Sequence, residues 1–152
     1  MGFSRVTEER LDVGAVSAQV ERPEHGAVVV FVGSVRNHFR GRAVAAITYD
    51  AYTAMAEKVL AQLVADEERA GALVAALVHR IGRLEPGEAS VVIAVSSPHR
   101  DLAYESSRRL LERLKREAPI WKHEHYVDGS SLWREEEPLA APAMVSATER
   151  SS

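Results

Sequence analysis

Cationic and titratable side chains cluster in three stretches of the sequence: Arg36, His38, Arg40 and Arg42; His99 and Arg100; and Lys115 with Lys122. Guanidinium groups grip phosphates and carboxylates through paired hydrogen bonds. A lysine amine is ordinarily protonated, with a pKa of about 10.4. Burial and neighbouring cations lower that value and turn the amine into a base or nucleophile. A drop of about 3 units takes roughly 4 kcal/mol of environmental effect. Such a set suits an anionic substrate whose charges must be held while protons move.

Each cluster alone also fits a plainer reading. Lys115 lies one turn beyond Leu111, beside Arg113 and Arg116, as a snorkelling surface lysine would. Lys122, flanked by Ile120 and Trp121, suits a pocket amine and a surface amine equally. Arg40 and Arg42 read as a solvated turn. Arg36 follows an apolar run through Gly33 and is better fixed, which favours function. His99-Arg100 stands at the start of a long expected helix, where free N–H groups and the helix dipole attract anions. Taken alone, that pair reads as surface residues, with Arg100 paired to Glu105. His79 reads as a packed core histidine. His123 and His125 share one face of an expected strand, but no third ligand is in view and no metal site is expected. The spacings of phosphate loops, dinucleotide folds, zinc proteases and nucleophile elbows do not occur.

The elements that must position these groups follow from periodicity and punctuation. Phe3 to Thr7 predicts a short strand, and Asp12 caps a helix through Val20. Ala27 to Val32 is rich in β-branched residues and predicts a buried strand, with Gly33 ending it or marking a bulge. Val44 to Tyr52 predicts another strand. Thr53 caps a helix to about Arg69, whose stripe of Met55, Ala56, Val59, Leu60, Leu63 and Val64 is expected in the core. Leu73 to Ile81 and Ser90 to Ser96 predict an antiparallel hairpin around Glu85-Pro86-Gly87-Glu88. Ser97 as N-cap and Pro98 at the first helical position open a helix to Glu117, stopped by Pro119. Ala103, Leu110, Leu111 and Leu114 form its apolar side. Trp121 to Val127 and Leu132 to Arg134 predict two last strands about the Asp128-Gly129 turn. The pattern is α+β, with a mixed, mainly antiparallel sheet and two main helices. One domain over residues 1–134 is expected, and a disordered acidic, Ala/Pro/Ser-rich tail over 135–152.

A chain of 152 residues, 46% hydrophobic, suffices for one real core. Its net charge of −3 disfavours a general nucleic-acid binder. The sequence has no cysteine, so thiolate metal sites and cysteine nucleophiles are excluded. If the protein handles sulfur, the sulfur arrives on another molecule. No secretory leader pattern and no apolar run of membrane-spanning length is seen, so a cytoplasmic location is expected.

Gly33-Ser34-Val35-Arg36, Tyr49-Asp50-Ala51-Tyr52, His79-Arg80-Ile81-Gly82, His99-Arg100, Leu114-Lys115 and Pro119-Ile120-Trp121-Lys122 occur in that order, followed by Asp128-Gly129 and Trp133. Together they resemble the molybdopterin synthase large-subunit family from Gly26 to Trp133. The resemblance implies a hammerhead-like fold and a sulfurtransferase. Such an enzyme moves sulfur from the C-terminal Gly-Gly thiocarboxylate of a small ubiquitin-like subunit to cyclic pyranopterin monophosphate, building the molybdopterin dithiolene. It implies Lys115 as the main acid/base or covalent-assisting amine and Lys122 as the group that polarises the pterin. Arg36 would hold a phosphate or carboxylate, and Phe31 would shape the pocket. His99 and Arg100 would complete the anion site from a neighbouring subunit, in a homodimer within a heterotetramer. No cofactor, metal, nucleic acid or membrane is implied. Leu111 stands where the family often has methionine. The alternative is a non-catalytic adaptor for a ubiquitin-like Gly-Gly tail, which the intact lysines disfavour.

Overall fold

β-Branched runs, glycine turns and two amphipathic stretches give nine strands and three helices among residues 2–133, which the computed structural model describes. The tail expected over 135–152 and Arg134 of the last expected strand lie outside the described residues. In chain order the elements are β1 (Phe3–Thr7), α1 (Val13–Ala18), β2 (Ala27–Ser34), β3 (His38–Phe39), β4 (Arg42–Ala51) and α2 (Thr53–Ala70). Then follow β5 (Val74–Arg80), β6 (Gly82–Leu84), β7 (Ala89–Ser97), α3 (Arg100–Glu117), β8 (Ile120–Tyr126) and β9 (Ser131–Trp133). One sheet runs β1-β5-β7-β2. The other runs β3-β4-β8-β9, with β6 also paired to β4. Only the β1–β5 pairing among those described is parallel. The mixed, mainly antiparallel α+β expectation holds.

Strand alternation divides the core. Val74, Ala76, Val78, Val92 and Ala94 face Val16 of α1 and Val20 just after it. Leu77, Ile93 and Val95 point the other way, into the larger core with Leu60 and Leu63 of α2, Leu110 and Leu114 of α3, and Ile47 and Ile120 of the second sheet. β5 and β7 are therefore covered on both faces, which is why they read as almost unbroken apolar runs. α1 begins where expected, with the Asp12 carboxylate accepting the Ala15 N–H.

Several expectations are corrected. β2 is an edge strand, not a buried one: Val28, Val30 and Val32 are 37–43% exposed while their alternates pack inward. Met55 is exposed, because it lies about 140° around the helix from Leu60. Tyr52, not Thr53, is the N-cap of α2, and its backbone N–H reaches the Pro119 carbonyl. Pairing of β7 with β2 continues through Ser97, so α3 opens at Arg100 with His99 as N-cap. The Ser97 hydroxyl donates to the His99 carbonyl instead of capping the helix. β5 and β7 do pair antiparallel as expected, from Val74 opposite Ser96 to His79 opposite Val91, but their connection is not a simple hairpin turn, since it contains β6, which crosses to the other sheet.

α2 and α3 are tied by charge as well as by packing. The almost fully buried Glu67 accepts from Ser106 Oγ and from Arg109, with Arg109 Nη2 at 2.8 Å. Burial works to raise the Glu67 pKa, but Arg109 and Ser106 outweigh it and hold the carboxyl below its ordinary value. Arg109→Ala strands a buried carboxylate and is expected to cost about 2 kcal/mol, read by urea unfolding at neutral pH.

Candidate active site

A cleft of about 250 Å³ opens where the end of β2, the loop after it, the last turns of α3 and the start of β8 meet. Phe31, Arg36, Lys115 and Lys122 all line it. Leu111 and Lys115 share one face of α3, four residues apart, and both reach the cleft. Lys122 enters from β8, where it stands opposite Tyr49 of β4 and alternates inward with Ile120, Glu124 and Tyr126. Its Nζ lies 6.0 Å from the centre of the Phe39 ring. Lys115 is exposed at the rim and Lys122 half-buried deeper in.

Arg36 is held by its backbone neighbours. Val35 N–H donates to Glu88 O at 3.0 Å, and Gly87 N–H returns to Val35 O at 2.9 Å, which pins the loop to the turn before β7. A bulge at Gly33/Ser34 makes the bend. The space beside Gly33 is occupied by Val91, whose Cγ1 would lie 2.7 Å from an added Cβ. β3 and β4 form a hairpin whose two turn residues, Arg40 and Gly41, both have positive φ, at 52° and 80°. Arg42 is exposed, as expected, but it opens β4 rather than lying in the turn, and its guanidinium lies 3.6 Å from the Tyr126 ring centre and donates to Ser130 Oγ at 2.6 Å.

The floor is polar and buried. His79, Tyr49, Ser90 and Glu124 all line it. His79 Nδ1 donates to the Arg80 carbonyl at 2.8 Å, and its ring meets Tyr49 edge-on at 5.2 Å. Burial pushes the His79 imidazole down to about 4, against a weaker upward pull from the Arg80 carbonyl. Burial also raises Tyr49; its hydrogen bond with Ser90 opposes this and the nearby Glu124 adds to it. Tyr126 donates its hydroxyl to the Glu124 carboxylate.

His99 and Arg100 do not line this cleft. They sit at the first turn of α3, about 22 Å along the helix from Lys115. His123 and His125 lie on the opposite face of β8 from Lys122. His123 stacks on Trp133 at 4.2 Å, and His125 bonds Thr48 Oγ1 at 2.9 Å.

A model of the MoaE protein family matches residues 6–117. The chain belongs to the MoaE family. A molybdopterin synthase catalytic subunit from Halalkalibacterium halodurans is 44% identical over 129 residues, covering 84% of this chain and 82% of its own. The crystal structure of molybdopterin synthase from Staphylococcus aureus superposes with a TM-score of 0.81 at 39% identity, covering 86% of this chain and 95% of that one. A complex of subunits 1 and 2 of molybdopterin-converting factor from Helicobacter pylori shares the fold, with a TM-score of 0.70 at 22% identity over 89% of this chain and 92% of that one.

Within this MoaE chain, sequence reasoning missed Tyr49, Ser90 and Glu124 as cleft residues and treated His79 as core alone. Strand parity was the available signal for Glu124, which is two residues beyond Lys122 on the same face. Ser90 and Tyr49 carried no comparable signal. The depressed His79 also makes stability pH-dependent. Between about 4 and 6.5 the unfolded chain binds a proton on this imidazole that the folded chain refuses. Stability is therefore lost as pH falls through that window, by about 3 kcal/mol in all. Urea midpoints measured from pH 7 to pH 4.5 should fall accordingly, and His79→Gln should flatten most of the slope.

Proposed function

We propose that this chain is the catalytic subunit of a molybdopterin synthase. It uses Lys115 and Lys122 to transfer sulfur from the thiocarboxylate of a small ubiquitin-like subunit to cyclic pyranopterin monophosphate. The observation that carries this reading is the meeting of both amines with Arg36 in one cleft, from three separate elements. Three negative groups need holding in this reaction: the substrate's phosphate, the thiocarboxylate, and the oxygen released as the cyclic phosphate opens. Fixed cations in a partly water-excluded cleft stabilise charge where it develops. Lys115 at the rim meets the incoming tail and moves protons there. Lys122, deeper in, polarises the pterin, and Arg36 holds the phosphate or the tail's carboxylate. Phe31 shapes the wall. Each transfer forms a carbon–sulfur bond on the pterin side chain as a carbon–oxygen bond there breaks, the displaced oxygen leaving on the opened phosphate or as water. Water then cleaves the tail's carbonyl carbon–sulfur bond, and its oxygen stays on the tail, which departs as a carboxylate. This step calls on no cofactor and no metal.

His99 and Arg100 join the site from a second copy. β2 and α3 run side by side in the same direction, since Ala27 pairs with Ser97 just before α3 while Phe31 and Lys115 meet at the cleft. β2 spans about 23 Å, close to the roughly 22 Å from Arg100 to Lys115 along α3. A two-fold axis across this exposed, valine-rich edge brings the His99–Arg100 end of one copy to the Arg36–Lys115 end of the other. The small subunit then occupies the outer ends of a heterotetramer. The Helicobacter pylori structure that shares this fold is itself a complex of two subunits. No described helix is long and apolar enough to cross a membrane, and the cytoplasm is the proposed location.

Lys115→Ala should reduce molybdopterin formation at least a hundredfold while binding of the small subunit persists. If the unmutated protein binds the thiocarboxylated partner but makes no dithiolene, it is an adaptor. Lys115→Ala and Arg100→Ala homodimers, each inactive, should recover about a quarter of wild-type activity when unfolded and refolded together, since half the dimers are mixed and each carries one intact site. No recovery would place Arg100 outside the neighbouring site.

A further inference from the structure

The buried floor of the cleft contains a polar atom that the sulfur-transfer scheme leaves unused. His79 is 2% exposed and lines the cleft. A carbonyl oxygen only accepts, so the 2.8 Å contact between Nδ1 and the Arg80 carbonyl requires the proton on Nδ1. The other ring nitrogen, Nε2, then carries a bare lone pair. The described hydrogen bonds give it no protein partner, although buried polar atoms are nearly always paired. The Tyr49 ring packs against the imidazole at 73° and fixes its orientation. Its neighbours on the floor have bonds of their own: Ser90 donates to Gly33 O, and Glu124 accepts from Tyr126.

We propose that His79 Nε2 is a specificity-determining acceptor that takes an N–H of the reduced pterin ring at the bottom of the cleft, opposite the cations that hold the phosphate. This rests on the proposed function and assigns the recognition of the ring to a residue distinct from the amines. A reduced pterin carries several N–H donors along one edge, whereas a phosphate or a peptide carboxylate carries none. An acceptor that stays neutral therefore selects the heterocycle end of the substrate and orients it, while Arg36 selects the charged end. Burial keeps the imidazole unprotonated at neutral pH, so the lone pair remains available. A site built to pair an N–H also rejects analogues that lack it.

The direct test is ¹⁵N NMR of the imidazole signals of the unmutated protein, titrated anaerobically with cyclic pyranopterin monophosphate. The expected result is an Nδ1-protonated His79 whose Nε2 signal moves upfield on saturation, as for a nitrogen that gains a hydrogen bond. A His79 Nε2 signal that stays put while the Lys122 side-chain signals shift would overturn the inference and leave the proposed function standing. A protein with no affinity for the pterin would remove both. Two variants supply a second readout. His79→Leu should weaken pterin binding about tenfold, whereas His79→Gln, whose side-chain amide reaches the Nε2 position, should stay within about threefold of wild type. Small-subunit binding should be unchanged in both. Equal losses in the two variants, tracking a lowered melting temperature, would mark His79 as a packing residue and overturn the inference.

Discussion

The reversal at Ala118-Pro119 is the constraint on which the site depends. Proline cannot continue a helix, because it lacks an N–H and its ring clashes with the preceding turn. α3 therefore stops with the Ala118 N–H donating to Leu114 O, and the chain turns straight into β8. Lys115 is in the last turn before this reversal and Lys122 is the third residue of the strand after it. The turn is itself anchored, since Pro119 offers its carbonyl to the N-cap of α2. The two amines consequently converge from two walls of one cleft. A helix that ran on would string them along one rod about 10 Å apart.

The rest of the fold supplies the other walls without crowding the opening. The β2 bulge and the paired hydrogen bonds between Val35 and the turn ahead of β7 bring Arg36 to the rim. The central strands close the floor with neutral or paired polar groups. Positive charge is thus concentrated where an anionic tail and a phosphate arrive, and the interior beneath stays uncharged apart from Glu124, whose carboxylate takes the Tyr126 hydroxyl. Lys122, half-buried, faces less water than Arg36 and Lys115 at the exposed rim, so its charge counts for more.

Elements that depend on local chemistry were legible in the sequence. The Asp12 cap, the Glu85–Glu88 turn and the Pro119 stop each need only a few neighbouring residues, and each stands as expected. So does the strand parity that turns Lys122 inward with Ile120. What depends on distant partners was not legible. A run such as Ala27 to Val32 has the same composition at a sheet edge as at its centre, and only the strand order shows that Val28, Val30 and Val32 are left uncovered. Ser97-Pro98 has the form of a helix start, but pairing with Ala27 holds Ser97 in the sheet. His79 reads as core because it is core; that its ring also forms a cleft wall follows from Tyr49 and Glu124 on another sheet. The gathering of Arg36 with the lysines likewise crosses about eighty residues of chain, a separation that periodicity does not address, and the family resemblance rather than spacing pointed to it.

A crystal structure of the chain in complex with its thiocarboxylated small subunit and the cyclic pterin tests the central claim most directly. The account predicts the tail's terminal sulfur between the two lysine amines, the phosphate against Arg36, and His99 and Arg100 of the neighbouring copy closing the anion site. A tail that ends outside the cleft, with both amines left in solvent, would contradict it.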